Sequence, residues 1–474
     1  MKVVKNYLWN VSYQIFVIIV PMITMPYISR VLGPHGVGVN SFTNSIVQYF
    51  VLFGGLGLGL YGNREIAYVR DDKKQLSKEF WELLILRTVT MTSALVIYII
   101  MAYNWREYRG FLFIQSIQII AAIIDISWFF MGIENFRITV LRNLLVKSIS
   151  VICIFLFVKS RNDTGVYIAI LALSTLFGNL TVFPYLKTYI TRIPYNSISL
   201  LRHLKPSIYL FIPQIAIQIY VVLNKTMLGQ MVSVDAAGFY DSSDKIIRLV
   251  LAIVTGTGTV LLPHIANQFI KGHLEQVRET FTISFQFVTL ISLPIAFGLA
   301  AISSKFVYLF LGGSFEIVGL LLQIEAIAGV FIAWDNALGQ QYLLPTGQTS
   351  RYTIAVVTGA LVNIFFNVPF ILFWKTVGSM WATVLSEVAV TLVMLFYVRQ
   401  KIKIASLYHE FWKIFVACSV MFLSVSKLDS FLKTSWLSLC IEVAYGAVIY
   451  LLAILVFKPK IIQDFKNFVN ARKF

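Results

Sequence analysis

Residues 80–103 read FWELLILRTVTMTSALVIYIIMAY, a predominantly apolar run. A helix that crosses a bilayer needs about 20 mostly apolar residues, and this run meets that length. Phe111–Gly132 and Val166–Leu186 repeat the pattern, and roughly fourteen such stretches, separated by short polar loops, run through the 474 residues. Composition agrees: 58% of residues are hydrophobic, 13% are charged, and the mean hydropathy is +0.78. A single water-soluble core stops growing near about 250–300 residues, so it could not absorb this much apolar surface. The expected fold is an all-α polytopic membrane protein with about fourteen transmembrane helices.

The formal net charge is +17 and the pI near 9.6. With the N-terminus inside, the cytoplasmic loops and adjoining helix ends hold most of the Lys and Arg. The outer loops hold few, among them Arg30, Arg106, Arg109, Lys159 and Arg161. This satisfies the positive-inside rule and predicts both termini in the cytoplasm. The basic surplus then serves topology and contact with anionic lipid, which excludes nucleic acid as a partner. The first span has no small-residue cleavage site behind it and reads as a retained helix. Cys153, Cys418 and Cys440 lie in apolar runs and read as small packing residues. The five histidines are scattered, and no spacing points to a metal site.

An internal echo organises the chain. Ser29-Arg30-Val31-Leu32-Gly33 follows the first span, and Gly38-Val39-Asn40 opens the second. Lys225-Thr226-Met227-Leu228-Gly229 follows the seventh, and Gly238-Phe239-Tyr240 opens the eighth. Glycine suits a tight re-entry that needs φ freedom. A fainter echo joins Trp128–Gly132 to Trp334–Gly339. Two copies of six helices share one orientation, so their symmetry axis runs along the membrane normal. The expected domains are a six-helix lobe with its linker at 1–205, a second six-helix lobe at 206–403, and two further helices with a basic cytoplasmic tail at 404–474. The linker, roughly Thr188–Pro206, reads as an amphipathic segment resting on the lipid surface.

Ionisable groups inside spans cost about 2.5–3.5 kcal/mol each on insertion scales, which makes them functional candidates. Arg30 closes the first span. The seventh carries Gln214, Gln218 and Lys225 on one helical face, a polar stripe that should line a wet interior. Arg248 lies in the eighth span, with Thr255 and Thr259 on nearly the same face. Asp125, Glu325, Asp335, Glu387 and Glu442 lie in later spans of each half. Each has a plainer alternative. Asp241/Lys245 and Asp244/Arg248 are i, i+4 pairs that neutralise one another. Arg30 and Lys225 would serve as snorkelling interfacial anchors. Glu442 reads as a partner for a neighbouring helix, and Asp125, beside Trp128, as a core hydrogen-bonding group.

No GxxxxGK[ST] loop appears, no nucleophile–histidine constellation stands out, and the loops are too short for a glycosyltransferase domain. A secondary transporter is favoured over a membrane enzyme, with no catalytic residues and no bound cofactor.

The run Pro26–Gly38, PYISRVLGPHGVG, resembles the first-helix signature of polysaccharide repeat-unit flippases (Wzx-type) in the multidrug/oligosaccharidyl-lipid/polysaccharide exporter superfamily. Tyr61–Ala67, Asp125–Glu134 and Asn224–Gly229 carry the resemblance onward. It departs from the family pattern at Asn224, where Asp is frequent before the lysine, and at His264, where Arg is frequent after the proline.

The resemblance implies two six-helix bundles around a central cavity that opens alternately to each side. It implies transport of an undecaprenyl-pyrophosphate-linked oligosaccharide to the outer leaflet of the bacterial cytoplasmic membrane, for capsule, exopolysaccharide or O-antigen assembly. A polysaccharide polymerase and a chain-length regulator are the partners it implies. A pyrophosphate headgroup and its sugars cannot cross hydrocarbon unaided, and a cationic cavity offers charge-assisted hydrogen bonds to the phosphates. Arg30, Lys225, Arg248, Gln214 and Gln218 are the expected substrate-binding residues. Asp125, Glu387, Glu325 and Asp335 are the expected sites for coupling to a proton or sodium gradient. The competing readings are a lipid II flippase, a drug exporter of the same superfamily, and a membrane-bound polymerase or ligase.

Overall fold

The computed structural model describes residues 2–191, 193–194 and 198–461. Backbone groups in lipid must be satisfied within the segment, and every regular element among the described residues is helical. The contacts divide the chain into two compact units, Met1–Gly238 and Phe239–Phe474. The first contains α1 (Lys2–Gly55), α2 (Leu58–Val69), α3 (Lys73–Asn104), α4 (Arg109–Ile123), α5 (Ser127–Gly132), α6 (Phe136–Phe157), α7 (Thr164–Leu180), α8 (Phe183–Leu186) and α9 (Leu204–Met231). Helix α10 (Val234–Ile270) leads into the second unit. That unit continues with α11 (Leu274–Phe310), α12 (Ile317–Asn336), α13 (Thr349–Val398), α14 (Ile404–Leu407), α15 (Phe411–Phe431) and α16 (Trp436–Phe457). A π-helical stretch, Ala337–Leu343, extends α12.

Ten helical segments among the described residues are long and apolar enough to cross a membrane. The chain is a multi-pass, all-α membrane protein. Two of the ten, Ile18–Val69 and Thr349–Val398, run 52 and 50 residues. At about 1.5 Å per residue, each exceeds twice the roughly 30 Å hydrocarbon core. Gly33 at φ 68° breaks α1 and Lys375 at φ 51° breaks α13, while Leu56 and Gly57, at φ 45° and 72°, separate α1 from α2. Each long helix therefore carries two of the expected spans, with almost no loop between them.

The glycines of the internal echo have different roles. Gly33 supplies the positive φ. Gly38 and Gly238 instead permit close approach within the first unit. A Cβ on Gly38 would lie 2.2 Å from the Val234 carbonyl oxygen, and one on Gly238 would lie 2.8 Å from the Gly38 Cα.

The core of the first unit explains the Tyr61–Ala67 and Asp125–Glu134 runs by packing. Tyr61 and Ile66 of α2, Phe80 of α3, and Trp128, Phe129 and Phe130 of α5 form one buried cluster. A Cβ on Gly62 would meet the Trp128 ring at 2.7 Å, and one on Gly132 would meet Ile66 at 2.6 Å.

The segment expected on the lipid surface is instead fastened to α3. The Thr191 amide donates to Ser77 Oγ at 2.9 Å, and Trp81 Nε1 donates to the Thr191 carbonyl at 3.2 Å. Further along, the Ser199 amide donates to Glu82 Oε1 at 2.8 Å. Arg202 reaches both Glu79, at 2.7 Å, and Glu82. His203 Nε2 lies 2.8 Å from Glu82 Oε2, and its Nδ1 lies 3.0 Å from the Tyr61 hydroxyl. Burial opposes the Arg202 charge, but hydrogen bonds and attraction from Glu82 and Glu79 outweigh it and raise its pKa. Arg192, in the same segment, lies outside the described residues, as does the basic tail beyond Ile461.

In the second unit a buried cation ties the last helix pair to α11. The Lys305 ammonium lies 2.8 Å from Asp429 Oδ1 and also meets Glu442, which is fully buried on α16. Glu442 thus has the neighbouring-helix partner that its plainer alternative requires.

Candidate functional site

Helix α6 enters the first unit carrying Arg137, Arg142, Asn143 and Lys147 within three turns. The inner two cations, Arg142 and Lys147, line a cavity of about 380 Å³ walled by α1, α4, α6 and α7. Thr24, Asn44, Gln118, Tyr167 and Asn179 complete its polar lining, and none of the described residues lining it is acidic. Such a wall offers hydrogen-bond donors and positive charge inside an otherwise apolar bundle.

A hydrogen-bonded chain fixes Arg142. Its Nη1 donates to Ser127 Oγ at 2.8 Å and to Asn179 Oδ1 at 3.1 Å, and its Nη2 donates to Asn143 Oδ1 at 2.6 Å. Asn179 in turn donates to the Ala121 carbonyl at 2.7 Å. Ser127 also bonds Asp125 through its amide, at 3.0 Å, and its hydroxyl. Asp125 Oδ2 lies 3.4 Å from the buried Arg87, whose Nε donates to the Ala122 carbonyl at 2.8 Å. Two guanidinium groups therefore share one carboxylate through this chain, which leaves a positive balance beside the cavity. On the opposite wall, amides continue the polar lining: Gln48 donates to Gln118 at 3.3 Å, Gln118 donates to Gln115, and Gln115 donates to Thr43 at 3.2 Å.

The expected substrate residues are placed as follows. Arg30 is exposed just before the Gly33 break, and its Nη1 donates to the Pro26 carbonyl at 3.1 Å. Lys225 is half-buried, between fully buried Asn224 and Thr226, which bonds Ser45 at 2.8 Å. Gln218 is exposed, and the Gln214 side chain lies outside the described residues, as do those of Thr255, Thr259 and His264. Arg248 is exposed and its Nε donates to Asp244 Oδ1 at 2.8 Å, while Lys245 lies 2.5 Å from Asp241. Both i, i+4 pairs form.

Of the expected coupling carboxylates, the structure brings two together. Asp335, at the end of α12, faces Glu387 on α13 and accepts a hydrogen bond from Thr391 at 2.6 Å. All three residues are buried. Glu325, earlier on α12, accepts from Ser243. Asp125 is engaged by Arg87 and Ser127, as its core-bonding alternative requires.

Arg142 and Lys147 are not among the expected site residues, because in the sequence they read as the basic cytoplasmic end of a helix. Lys147, already inside the apolar run, was the available signal.

Comparison with known proteins bears on this site. A relative from Escherichia coli (strain K12), named "Putative O-antigen transporter", is 21% identical over 388 residues, covering 80% of this chain and 93% of that one. The fold is similar to that of a lipid II flippase in an inward closed conformation, with a TM-score of 0.80 at 14% identity over 96% of this chain and 100% of that one. A multidrug transporter of the MOP superfamily in an inward-facing conformation aligns with a TM-score of 0.62 at 13% identity, over 82% and 98% of the two chains. At these identities the structural likeness shows the fold alone. The family described as "Polysaccharide biosynthesis protein" matches residues 3–269, more than half of the sequence, and the chain belongs to that family.

Proposed function

We propose that this protein is a flippase that carries a lipid-pyrophosphate-linked oligosaccharide repeat unit from the inner to the outer leaflet by alternating access. Both termini lie in the cytoplasm in this reading, about fourteen helices cross the membrane, and the lobes 1–205 and 206–403 rock about the cargo. The observation that carries it is the cavity lined by Arg142 and Lys147 with amides, hydroxyls and no acid. Arg and Lys supply charge-assisted hydrogen bonds to phosphate, and Asn44, Gln118 and Tyr167 present the donors and acceptors that sugar hydroxyls need. A drug exporter for organic cations calls for the opposite charge. Arg30 and Lys225 are further candidates for the same anion along its route. Arg248 is the weakest of the cations because Asp244 already holds it.

Each charge-assisted contact contributes about 1.5–3 kcal/mol, so Arg142→Gln should weaken binding of the lipid-linked substrate roughly ten- to a hundred-fold. Arg142→Lys should keep part of the binding, since charge survives and the planar fork is lost. Isothermal titration of purified variants with a short-chain prenyl-pyrophosphate glycan checks this. Unchanged affinity in a folded Arg142→Gln/Lys147→Gln variant would sink the reading.

Asp335 and Glu387 are the coupling site in this reading. Two carboxylates that close repel when both are charged, so the pair takes up a proton or sodium ion between them. Asp335→Asn with Glu387→Gln should leave substrate binding intact and remove the dependence of transport on the ion gradient, measured in proteoliposomes.

A second reading, transport of lipid II, is favoured by the extent of the fold likeness to the lipid II flippase. Complementation separates the two. Growth rescue of cells lacking their lipid II flippase supports lipid II. Restored surface polymer in cells lacking their O-antigen repeat-unit transporter supports the repeat unit.

A further inference from the structure

The second unit holds a separate cavity of about 640 Å³ at the ends of its helices. Its walls come from the α10–α11 turn, the turn after the π-helical stretch, and the exit from α13. Arg278, Arg351 and Lys401 line it, and no acidic residue is among the described residues that do. Arg278 and Arg351 share this lining with Tyr342.

The site is built rather than incidental. Arg351 Nη1 donates to Gln348 Oε1 at 2.6 Å, and Gln348 Nε2 donates to Thr346 Oγ1 at 2.8 Å. The Arg351 guanidinium also lies 5.4 Å from the Tyr397 ring centroid. Arg278 pairs with Glu275 at 2.7 Å, but Glu275 is 86% exposed, and a pair so solvated offsets little of the arginine's attraction for an anion. Gly272 and Gly347 form the rim at φ 78° and 74°, and a Cβ on either would meet nothing within 4 Å, so the mouth is open. Phe269, Leu274 and Val277 make the remaining wall apolar.

Cations above an apolar wall, at the end of spanning helices, match a lipid phosphate whose chains remain in the bilayer. The surrounding face is the basic one, with Lys271, Arg399 and Lys403 nearby in sequence. We propose that this pocket binds the headgroup of an anionic phospholipid from the leaflet on the basic side, and that the three cations lining it select a headgroup with two phosphates. This site is distinct from the Arg142 cavity and does not depend on the identity of the transported glycan.

The test uses the purified full chain in a neutral detergent, titrated separately with tetraoleoyl cardiolipin, dioleoylphosphatidylcholine and free pyrophosphate, with bound species counted by native mass spectrometry. Cardiolipin should bind about tenfold or more tightly than phosphatidylcholine, and Arg278→Gln/Arg351→Gln should lose about that factor. Arg278→Lys/Arg351→Lys should keep most of it, and raising salt should weaken cardiolipin binding to the unmodified chain several-fold. Arg70→Gln/Lys74→Gln, on a basic loop of the first unit, should bind like the unmodified chain. Four results overturn the proposal: equal binding of the two lipids, an unchanged Arg278→Gln/Arg351→Gln variant, equal loss in the Arg70→Gln/Lys74→Gln variant, or salt-insensitive binding. Free pyrophosphate binding more tightly than cardiolipin would overturn the lipid as the ligand.

Discussion

Lys375 and Gly33 each break a long helix, but at different cost. Gly33 adopts a positive φ freely. Lys375, at φ 51° and ψ −127°, occupies a region that glycine favours, and a residue held there costs about 1–3 kcal/mol. Lys375→Gly should therefore stabilise the protein by about 1 kcal/mol, after the greater freedom of glycine in the unfolded chain is set against the relieved strain. Thermal melting of the purified variant reads this directly, and a lowered melting temperature would contradict it. The φ freedom expected of Gly38 and Gly238, which open the next helices, falls instead on Gly33. The strain at 375 was not legible, because nothing in Trp374-Lys375-Thr376 marks a positive φ. Charge was legible in the same uneven way. Asp335 and Glu387 stood out as carboxylates inside apolar runs, and they meet. Arg142 did not, because it reads as part of the basic loop end, whereas α6 already begins at Phe136 and carries it half-buried into the bundle.

At the scale of elements, the helices were legible because apolar length is a local property, while the fastening of one element to another was not. The segment after α8 has the basic, amphipathic composition of a lipid-surface segment. Its Arg202 and His203 are matched by Glu79 and Glu82 of α3, a helix that reads as a membrane span. His203 and Glu82 are 121 residues apart, and no local pattern announces such a pair. Breaking a fully buried ion pair costs about 3–5 kcal/mol, and the partial exposure of Arg202 reduces that here. Glu82→Gln should lower stability by roughly 2 kcal/mol, since it leaves Arg202 and His203 facing a neutral amide. It should also speed tryptic cleavage between Lys187 and Lys205. Lys78→Gln should do neither, because Lys78 stands 4.0 Å from Glu82 and is solvated. Cleavage of the Glu82→Gln variant at the unmodified rate would show that the clasp does not hold the segment.

For the whole molecule, the membrane class and the all-helical fold were legible in composition, and the proposed orientation rests on the bias of cations between alternate loops. Cysteines introduced at Pro34 and Asp163 should react with an impermeant thiol reagent on intact cells, whereas those at Asp72 and Gly272 should not. Labelling at Asp72 would invert the topology. The lock between α11 and the last two helices imposes an order of events on synthesis. Lys305 leaves the ribosome 124 residues ahead of Asp429 and 137 ahead of Glu442. At about 5–20 residues per second, that interval lasts on the order of ten seconds. Throughout it the Lys305 ammonium sits near the C-terminal end of α11 without these two carboxylates, at an insertion cost of at most about 2.5–3.5 kcal/mol. Helix α11 is therefore held in the bilayer provisionally, and the second half of the nascent chain becomes committed to its place only when its final helices arrive.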